Sequence, residues 1–151
     1  MAPQPRIFTS SWRTALDPNR FTRIGISRGM PHRDRGFRRF RALEPGSWFK
    51  TASVEEYVRL YSEHLSKLDA AEVVRDLERM AGGLIPVLLC FEPPEPGTKW
   101  CHRGLVSKWL AKELSIEVYE LGQEHEGFGA AHPKVPEQYR VVRPAQDRRS
   151  S

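Results

Sequence analysis

The sequence lacks any long apolar run. No segment approaches the roughly 18–20 consecutive apolar residues that a helix needs to cross a bilayer, and the opening M-A-P-Q-P-R has no apolar core of a signal peptide. Internal repeats and low-complexity tracts are also lacking, which excludes solenoid and fibrous architectures. We therefore expect a cytoplasmic protein that has no membrane partner.

Cysteine is scarce, with only Cys90 and Cys101 in 151 residues. In a cytoplasmic protein two cysteines are expected to be thiols rather than a disulfide framework. His102 and Glu92 add donor atoms that zinc could use, but no two ligands show the two-residue spacing of common zinc motifs. We expect no metal and no other cofactor, with a structural zinc site as the lesser alternative.

Acidic residues are nearly absent from residues 20–41, where eight arginines face only Asp34. Phe37 and Phe40 are interleaved with arginines in the loop 28–41. Cations that bind phosphates and rings that stack on bases hold single-stranded nucleic acids without a sequence code. This loop therefore supports an alternative function, a nucleic-acid or nucleotide-binding module without catalysis. The competing interpretation is a solvated basic loop whose phenylalanines pack into the core.

The apolar residues that are present predict strands and helices in alternation. Short β-branched or aromatic runs at 6–10 and 21–26 predict two strands, and the almost unbroken apolar run 84–91 predicts a strand covered on both faces. Residues 27–47 show no periodicity and predict a long irregular connection. The alternating residues 116–121 predict a further strand.

Capping boxes mark two of the three predicted helices. Ser53 and Asp69 are each followed three residues later by glutamate, and Gly82 provides a stop. A third apolar face follows at Leu105 and ends near Leu114. In the first helix, the apolar stripe consists of Val54, Tyr57, Val58, Tyr61, Leu65 and Leu68.

These elements predict an α/β fold, a small mostly parallel sheet with helices packed on it. With 151 residues, 39% of them hydrophobic, the chain is large enough for one core. We expect a single domain over residues 1–127. Residues 128–151 are expected to be a loop-rich, partly flexible C-terminal extension.

The C-H-R segment (residues 101–103) is the main candidate site. Cys90 ends the apolar run, and open α/β sheets place their ligand crevices at the carboxyl ends of strands. If Thr98 is the N-cap, Cys101 lies in the first helical turn, where free amides, the helix dipole and the neighbouring His102 and Arg103 lower a thiol pKa. Such a turn also binds phosphate or carboxylate. The competing interpretation is that Cys101 packs as a small apolar residue.

The order of the elements places more charged side chains near this junction. Arg13 follows the first predicted strand and Arg28 the second, so parallel strands would bring both to the edge that carries the cysteines. Arginine binds oxyanions through paired N–H donors. Glu92 directly follows the apolar run, and Glu120 ends the last predicted strand, where it could orient a side chain of the C-H-R segment.

The favoured function is an enzyme with a cysteine-containing anion-binding site. Cys101 is the expected nucleophile, and His102 or Glu92 is expected to transfer protons. The expected ligand is an anionic small molecule, phosphorylated or nucleotide-like. The residues expected to bind it are Arg103, Arg28, Arg13 and Cys90. The reaction and the oligomeric state remain open.

A family resemblance points to the same residues. The strand end L-L-C-F-E, the segment C-H-R-G-L-V-S-K-W-L, and the upstream Y-V-R-L-Y and I-S-R-G-M-P resemble the bacterial domain of unknown function 488 family over about residues 6–121. The resemblance implies a compact α/β domain whose C-H-R segment opens a helix, and it implies no reaction. The loop between Glu92 and Cys101 is longer than in the shortest family versions, which leaves the helix cap open. The positions that the resemblance marks are Arg28, Cys90, Glu92, Cys101, His102 and Arg103.

Overall fold

The computed structural model describes residues 6–29, 31, 37–94 and 99–142, and in these ranges the chain forms one parallel sheet of five strands. The strand order is β3-β2-β4-β1-β5, and each neighbouring pair is parallel. The predicted α/β fold is confirmed. The strands are β1 (Phe8–Ser11), β2 (Phe21–Gly25), β3 (Phe37–Arg39), β4 (Ile85–Cys90) and β5 (Tyr119–Glu120).

Strand β4 lies at the centre of the sheet, between β2 and β1. Successive side chains of a strand point to opposite faces. Leu88 and Cys90 accordingly belong to the large core beneath the helices, whereas Val87 and Leu89 belong to a smaller cluster with Trp12. The apolar run is therefore covered on both faces, as predicted, and Cys90 faces the helical layer.

Three α-helices pack on that face, and two of them begin at the predicted caps. They are α1 (Val54–Ser66), α2 (Ala70–Ala81) and α3 (His102–Leu114). The side chains of Ser53 and Asp69 accept hydrogen bonds from the amides of Glu56 and Glu72, each at 3.2 Å. Gly82 ends α2 in the left-handed conformation, at φ 61°. None of the helices in the described ranges is long and apolar enough to cross a membrane.

The predicted irregular connection at 27–47 contains a strand that the sequence does not predict. Strand β3 pairs with β2 at the outer edge of the sheet. It is only three residues long, and Arg38 and Arg39 are exposed, so it carries no alternating apolar pattern. The Phe37 ring instead packs edge-on against Trp12, with centroids 5.0 Å apart.

Helix α3 begins one residue after Cys101, which is the N-cap itself. The predicted N-cap, Thr98, lies outside the described residues, and its prediction is wrong because Cys101 holds that position in extended conformation. The Cys101 amide donates to the carbonyl oxygen of Lys134 at 3.0 Å. This bond fixes the start of α3 against the segment that follows β5.

The segment 129–135 covers the outer side of α3. The Gly129 amide donates to Ser107 Oγ at 2.9 Å, and His132 and Lys134 are fully buried. The first half of α3 is consequently buried on all sides, from His102 to Ser107. The division of the chain at residue 127 stays a prediction, and residues 143–151 of the predicted extension lie outside the described residues.

Candidate functional site

A cavity of about 640 Å³ opens where β2 and β4 end and α3 begins. Sheet topology explains its position, because parallel strands end at the same edge and their following segments diverge there. Its wall contains both cysteines, His102 and Glu92. The remaining wall is contributed by Ser27, Arg28, Gly29, Pro45, Phe49, Lys50, Tyr57, Phe91, Lys99 and Trp100.

Cys90, Cys101 and His102 form a buried cluster in this wall. The sulfur and nitrogen atoms of the three side chains lie within 4.8 Å of one another. His102 Nδ1 is 3.6 Å from Cys101 Sγ and 3.9 Å from Cys90 Sγ. Cys90 is 1% exposed, Cys101 3% and His102 6%. Both cysteines are free thiols, so the cluster combines two thiols with one imidazole.

The imidazole of His102 is oriented by the backbone of β2. His102 Nε2 lies 2.8 Å from the carbonyl oxygen of Ile26, the residue that follows β2. A carbonyl oxygen only accepts hydrogen bonds, so Nε2 carries a proton and, in the neutral ring, Nδ1 does not. The unprotonated Nδ1 lies 3.6 Å from Cys101 Sγ, whereas Cys90 Sγ is nearly equidistant from the two ring nitrogens, 3.9 Å from Nδ1 and 3.8 Å from Nε2.

The expected lowering of the Cys101 pKa is wrong. Burial raises the pKa of this thiol well above its ordinary value, Cys90 raises it further, and the charges of His102 and Arg103 lower it by less. The pKa of His102 is raised, since burial lowers it but Cys101 and the Ile26 carbonyl raise it by more.

Three cationic side chains, Arg28, Lys50 and Lys99, share the cavity wall with the single carboxylate of Glu92. The Arg28 guanidinium lies 5.8 Å from the centre of the Phe49 ring, and the Lys50 ammonium lies 5.6 Å from it. Arg28 Nη1 reaches only a long hydrogen bond of 3.5 Å to the Pro45 carbonyl. Among the residues that the structure describes, the wall is therefore net positive, and Arg28 lines it as the sequence predicts.

Arg103, expected to bind substrate, is instead fully buried in an ion pair with Glu120. Its Nε donates to Glu120 Oε1 at 2.9 Å, and its Nη2 donates to Oε2 at 2.7 Å. Both side chains are 0% exposed, and Arg103 is not part of the cavity wall. Nη2 also donates to the Glu92 carbonyl at 2.8 Å. The expectation that Glu120 orients the C-H-R segment is confirmed, and Arg103 holds the loop after β4 rather than facing the cavity.

Arg13, the other arginine expected at the site, is exposed and does not line the cavity. It follows Trp12, whose ring packs on the sheet face opposite the helices. Strand β1 ends beside β4, as expected, with Ser11 opposite Cys90, but Arg13 does not reach the cavity. The sequence does not show toward which face of the sheet a residue just after a strand points.

Among the aromatic residues of the cavity wall, Phe49 and Tyr57 are two that sequence reasoning misses. Tyr57 belongs to the apolar stripe of α1, which predicts a core residue. It lines the cavity although it is only 6% exposed. It packs edge-on against Trp100, at a centroid distance of 4.7 Å. Phe49 lies in a short 3-10 helix before α1, far from Trp100 in sequence. No spacing in the sequence connects these rings, because separate elements contribute them.

The two phenylalanines of the Arg-rich loop pack inward. Phe37 contacts Trp12, and Phe40 packs against the core beneath the helices. Arg39 pairs with Glu44. The interpretation in which the rings pack against the core is therefore correct for Phe37 and Phe40, although both rings are only half-buried. Residues 32–36 of this loop lie outside the described residues.

His132 belongs to a buried network beneath Arg103. Its Nδ1 accepts from the Lys134 amide at 3.0 Å, so Nε2 carries the proton and donates to Thr9 Oγ1 at 2.7 Å. Thr9 Oγ1 in turn donates to Glu120 Oε1 at 2.7 Å. Burial lowers the pKa of His132 well below its ordinary value, and the charges of Arg103, Arg140 and Lys134 lower it further.

This network predicts a loss of stability in mild acid. In the unfolded chain His132 takes up a proton near its ordinary pKa of about 6.5, whereas in the folded protein it stays neutral to lower pH. The contribution of His132 to the free energy of unfolding is therefore fully present above about pH 6.5 and is lost as the pH decreases. One such group contributes up to about 1.4 kcal/mol per pH unit to the free energy of unfolding. Urea unfolding at pH 7.5, 6.5 and 5.5 measures this pH dependence of the free energy of unfolding. His132→Gln should flatten this dependence and the exposed His125→Gln should not; equal slopes in all three proteins would contradict the prediction.

No family model, no curated protein and no solved structure matches this chain. The resemblance to the domain of unknown function 488 family therefore stays a prediction. What the chain does must be inferred from the shape, charge and reactive groups of the cavity.

Proposed function

We propose that this protein is a cytoplasmic enzyme that binds a phosphorylated or nucleotide-like small molecule in the cavity at the start of α3. One observation carries the proposal: a cavity lined by three cationic side chains and several aromatic rings has a cluster of two cysteines and a histidine in its wall. Its volume of about 640 Å³ is in the range of about 300–1,000 Å³ that small-molecule sites occupy.

The charges of the wall favour an anion. Arg28, Lys50 and Lys99 outnumber the carboxylate of Glu92, and cations that converge in a low-dielectric cleft attract phosphate groups. Arg28 is the best placed for bidentate binding, because within the described ranges its guanidinium contacts the Pro45 carbonyl through a long hydrogen bond and the ring of Phe49, and it pairs with no carboxylate there. We therefore assign phosphate binding to this side of the cavity.

The rings of the wall favour a ligand with a flat apolar part. Phe49, Tyr57 and Trp100 all line the cavity, and aromatic side chains stack on bases whatever their identity. Tyr57 and Trp100 are held edge-on to each other, so their positions are fixed before a ligand arrives. A nucleotide combines both features, an anionic group and a planar base.

The reactive groups lie beside this ligand site. Cys101, His102 and Glu92 all line the cavity. We assign contact with the reacting part of the ligand to Cys101, and proton transfer to His102 and Glu92, since both groups can exchange protons and reach the cavity. Burial keeps the Cys101 thiol protonated in the ligand-free protein, so its role requires a partner that compensates for a negative sulfur.

Replacing Arg28 with alanine should weaken binding of ADP by about 10-fold to 100-fold, the cost of losing a charge-assisted hydrogen bond of about 1.5–3 kcal/mol. Isothermal titration calorimetry with ADP, ribose 5-phosphate and inorganic phosphate measures it. Arg13→Ala is the matched control, because Arg13 is exposed and outside the cavity wall. No saturable binding of any of these probes by the wild-type chain, or an equal loss in both variants, would overturn the assignment.

The enzymatic half of the proposal has a separate test. Each probe is incubated with the wild-type chain and with Glu92→Gln, and the products are followed by phosphorus NMR and mass spectrometry. We expect a chemical change with the wild type that is slowed in the variant. If the chain binds a probe tightly but every probe stays chemically unchanged, the catalytic roles are refuted and the protein is a binding protein.

A further inference from the structure

The buried cluster of Cys90, Cys101 and His102 brings three possible metal-ligand atoms within 4.8 Å of one another. Zn–S bonds of about 2.3 Å and Zn–N bonds of about 2.0–2.1 Å at tetrahedral angles separate a sulfur and a nitrogen ligand by about 3.6 Å, and two sulfurs by about 3.8 Å. The distances from His102 Nδ1 are 3.6 Å to Cys101 Sγ and 3.9 Å to Cys90 Sγ. We propose that Cys90, Cys101 and His102 bind one zinc ion whose fourth position faces the cavity.

The hydrogen bond of His102 provides a second, independent indication. A histidine that binds a metal nearly always donates its other ring N–H to a carbonyl or carboxylate, which fixes the tautomer. His102 Nε2 donates to the Ile26 carbonyl at 2.8 Å and leaves Nδ1, the nitrogen next to Cys101, as the ligand atom. The Ile26 carbonyl thus keeps free for a metal ion the ring nitrogen that is next to Cys101 Sγ.

The backbone around the ligands is fixed by other bonds. The Cys90 carbonyl accepts from the Trp12 amide at 2.8 Å, and the Cys101 amide donates to the Lys134 carbonyl at 3.0 Å. Cys90 Sγ is 3.8 Å from Nε2 and 3.9 Å from Nδ1, so its side chain must rotate toward Nδ1 to complete the site.

The donor set selects the ion. Two thiolates and one imidazole suit zinc rather than magnesium or calcium, which prefer oxygen ligands. Zinc binding releases the two thiol protons to solvent, and the resulting site of one dication and two thiolates has no net charge. A neutral site is compatible with its nearly complete burial.

Because three protein ligands leave one tetrahedral position open, the arrangement is that of a reactive rather than a closed structural zinc site. The residues that line the cavity next to the cluster include Glu92. With zinc bound, the ion takes the place of Cys101 as the group that faces the ligand, His102 becomes a ligand, and Glu92 alone keeps the proton-transfer role. Zinc binding itself does not depend on the proposed anionic ligand.

The test uses the full chain, stripped with a chelator under reducing conditions and supplied with zinc or cobalt alone. We expect one zinc per chain in competition with a chromophoric chelator, and a higher unfolding temperature with zinc. Cobalt should give a thiolate-to-metal charge-transfer band and the intense visible bands of a tetrahedral ion. Absence of these bands, or purified protein whose two cysteines form a disulfide and bind no metal after reduction, would refute the site.

Variants assign the ligands. Cys90→Ser, Cys101→Ser and His102→Gln should each weaken zinc binding by at least about 100-fold. His125→Gln is the matched control, because its side chain is 71% exposed and outside the cluster. Equal affinity in ligand and control variants would overturn the assignment. If the serine variants do not fold, the cobalt spectrum of the wild type decides alone.

The test of the zinc site and the test of the proposed function can fail independently of each other. Arg28→Ala should bind zinc with unchanged affinity while its affinity for ADP falls. Zinc binding by a chain that binds none of the anionic probes would support the metal site and refute the proposed function, and the opposite pattern would do the reverse.

Discussion

Replacing Arg103 with methionine should lower the free energy of unfolding by about 3–5 kcal/mol, because it leaves the charge of Glu120 buried without its partner. The two side chains are 0% exposed and share two hydrogen bonds shorter than 3 Å. Within the described ranges, the hydroxyl of Thr9 would be the only side-chain hydroxyl left to donate to the Glu120 carboxylate. Urea unfolding followed by tryptophan fluorescence measures the change.

Two further variants test the physical reason. Arg79 pairs with Asp76 on the surface, with 75% of its side chain exposed, so Arg79→Met should cost less than about 1 kcal/mol. The double variant Arg103→Met with Glu120→Met should recover much of the loss, because it removes the unpaired charge as well as its partner. If Arg103→Met costs no more than Arg79→Met, the pair does not stabilise the fold as argued.

Replacing Gly104 with alanine should destabilise the protein by about 3 kcal/mol. In an ordinary helix this change gains up to about 1 kcal/mol. A methyl group here, however, would overlap the carbonyl carbon of Lys134 and the nitrogen of Val135, and it would lie 2.7 Å from the Lys134 oxygen. Backbone atoms cannot rotate away as a flexible side chain does, so overpacking outweighs helix propensity.

The control for Gly104 is Gly29→Ala. A methyl group on Gly29 meets only the Phe91 ring, at an ordinary contact of 3.8 Å, so its effect should stay within about 0.5 kcal/mol. Thermal and urea unfolding compare the two variants. A Gly104→Ala protein as stable as the wild type would show that the segment 129–135 can move away from α3 without cost.

Local patterns in the sequence predict most of the elements but not all of their ends. Ser53 and Asp69 mark the starts of α1 and α2 because each capping contact lies within four residues. The start of α3 is misplaced, since Cys101 is fixed by a bond to Lys134, 33 residues later. Strand β3 is missed because it forms only by pairing with β2.

The candidate site shows the same division. Cys90 and the C-H-R segment can be placed at one sheet edge from the order of a strand and a helix. That Arg28 lines the cavity while Arg13 and Arg103 do not depends on how the chain leaves β1 and on the buried partner Glu120. The pKa of Cys101 is determined by burial more than by its neighbours in sequence. The charged neighbours in the C-H-R segment therefore predict a shift in the wrong direction.

By itself the sequence determined the α/β class, the capped helices, the buried central strand and the neighbourhood of the two cysteines, because these depend on periodicity and on contacts within a few residues. Only the tertiary structure decided that β2 lies beside β4, which places the Ile26 carbonyl on His102 Nε2 and leaves Nδ1 unprotonated beside Cys101 Sγ. It also decided which cations border the cavity. Burial and long-range pairing set the chemistry of these side chains, and neither is encoded in the spacing of residues along the chain.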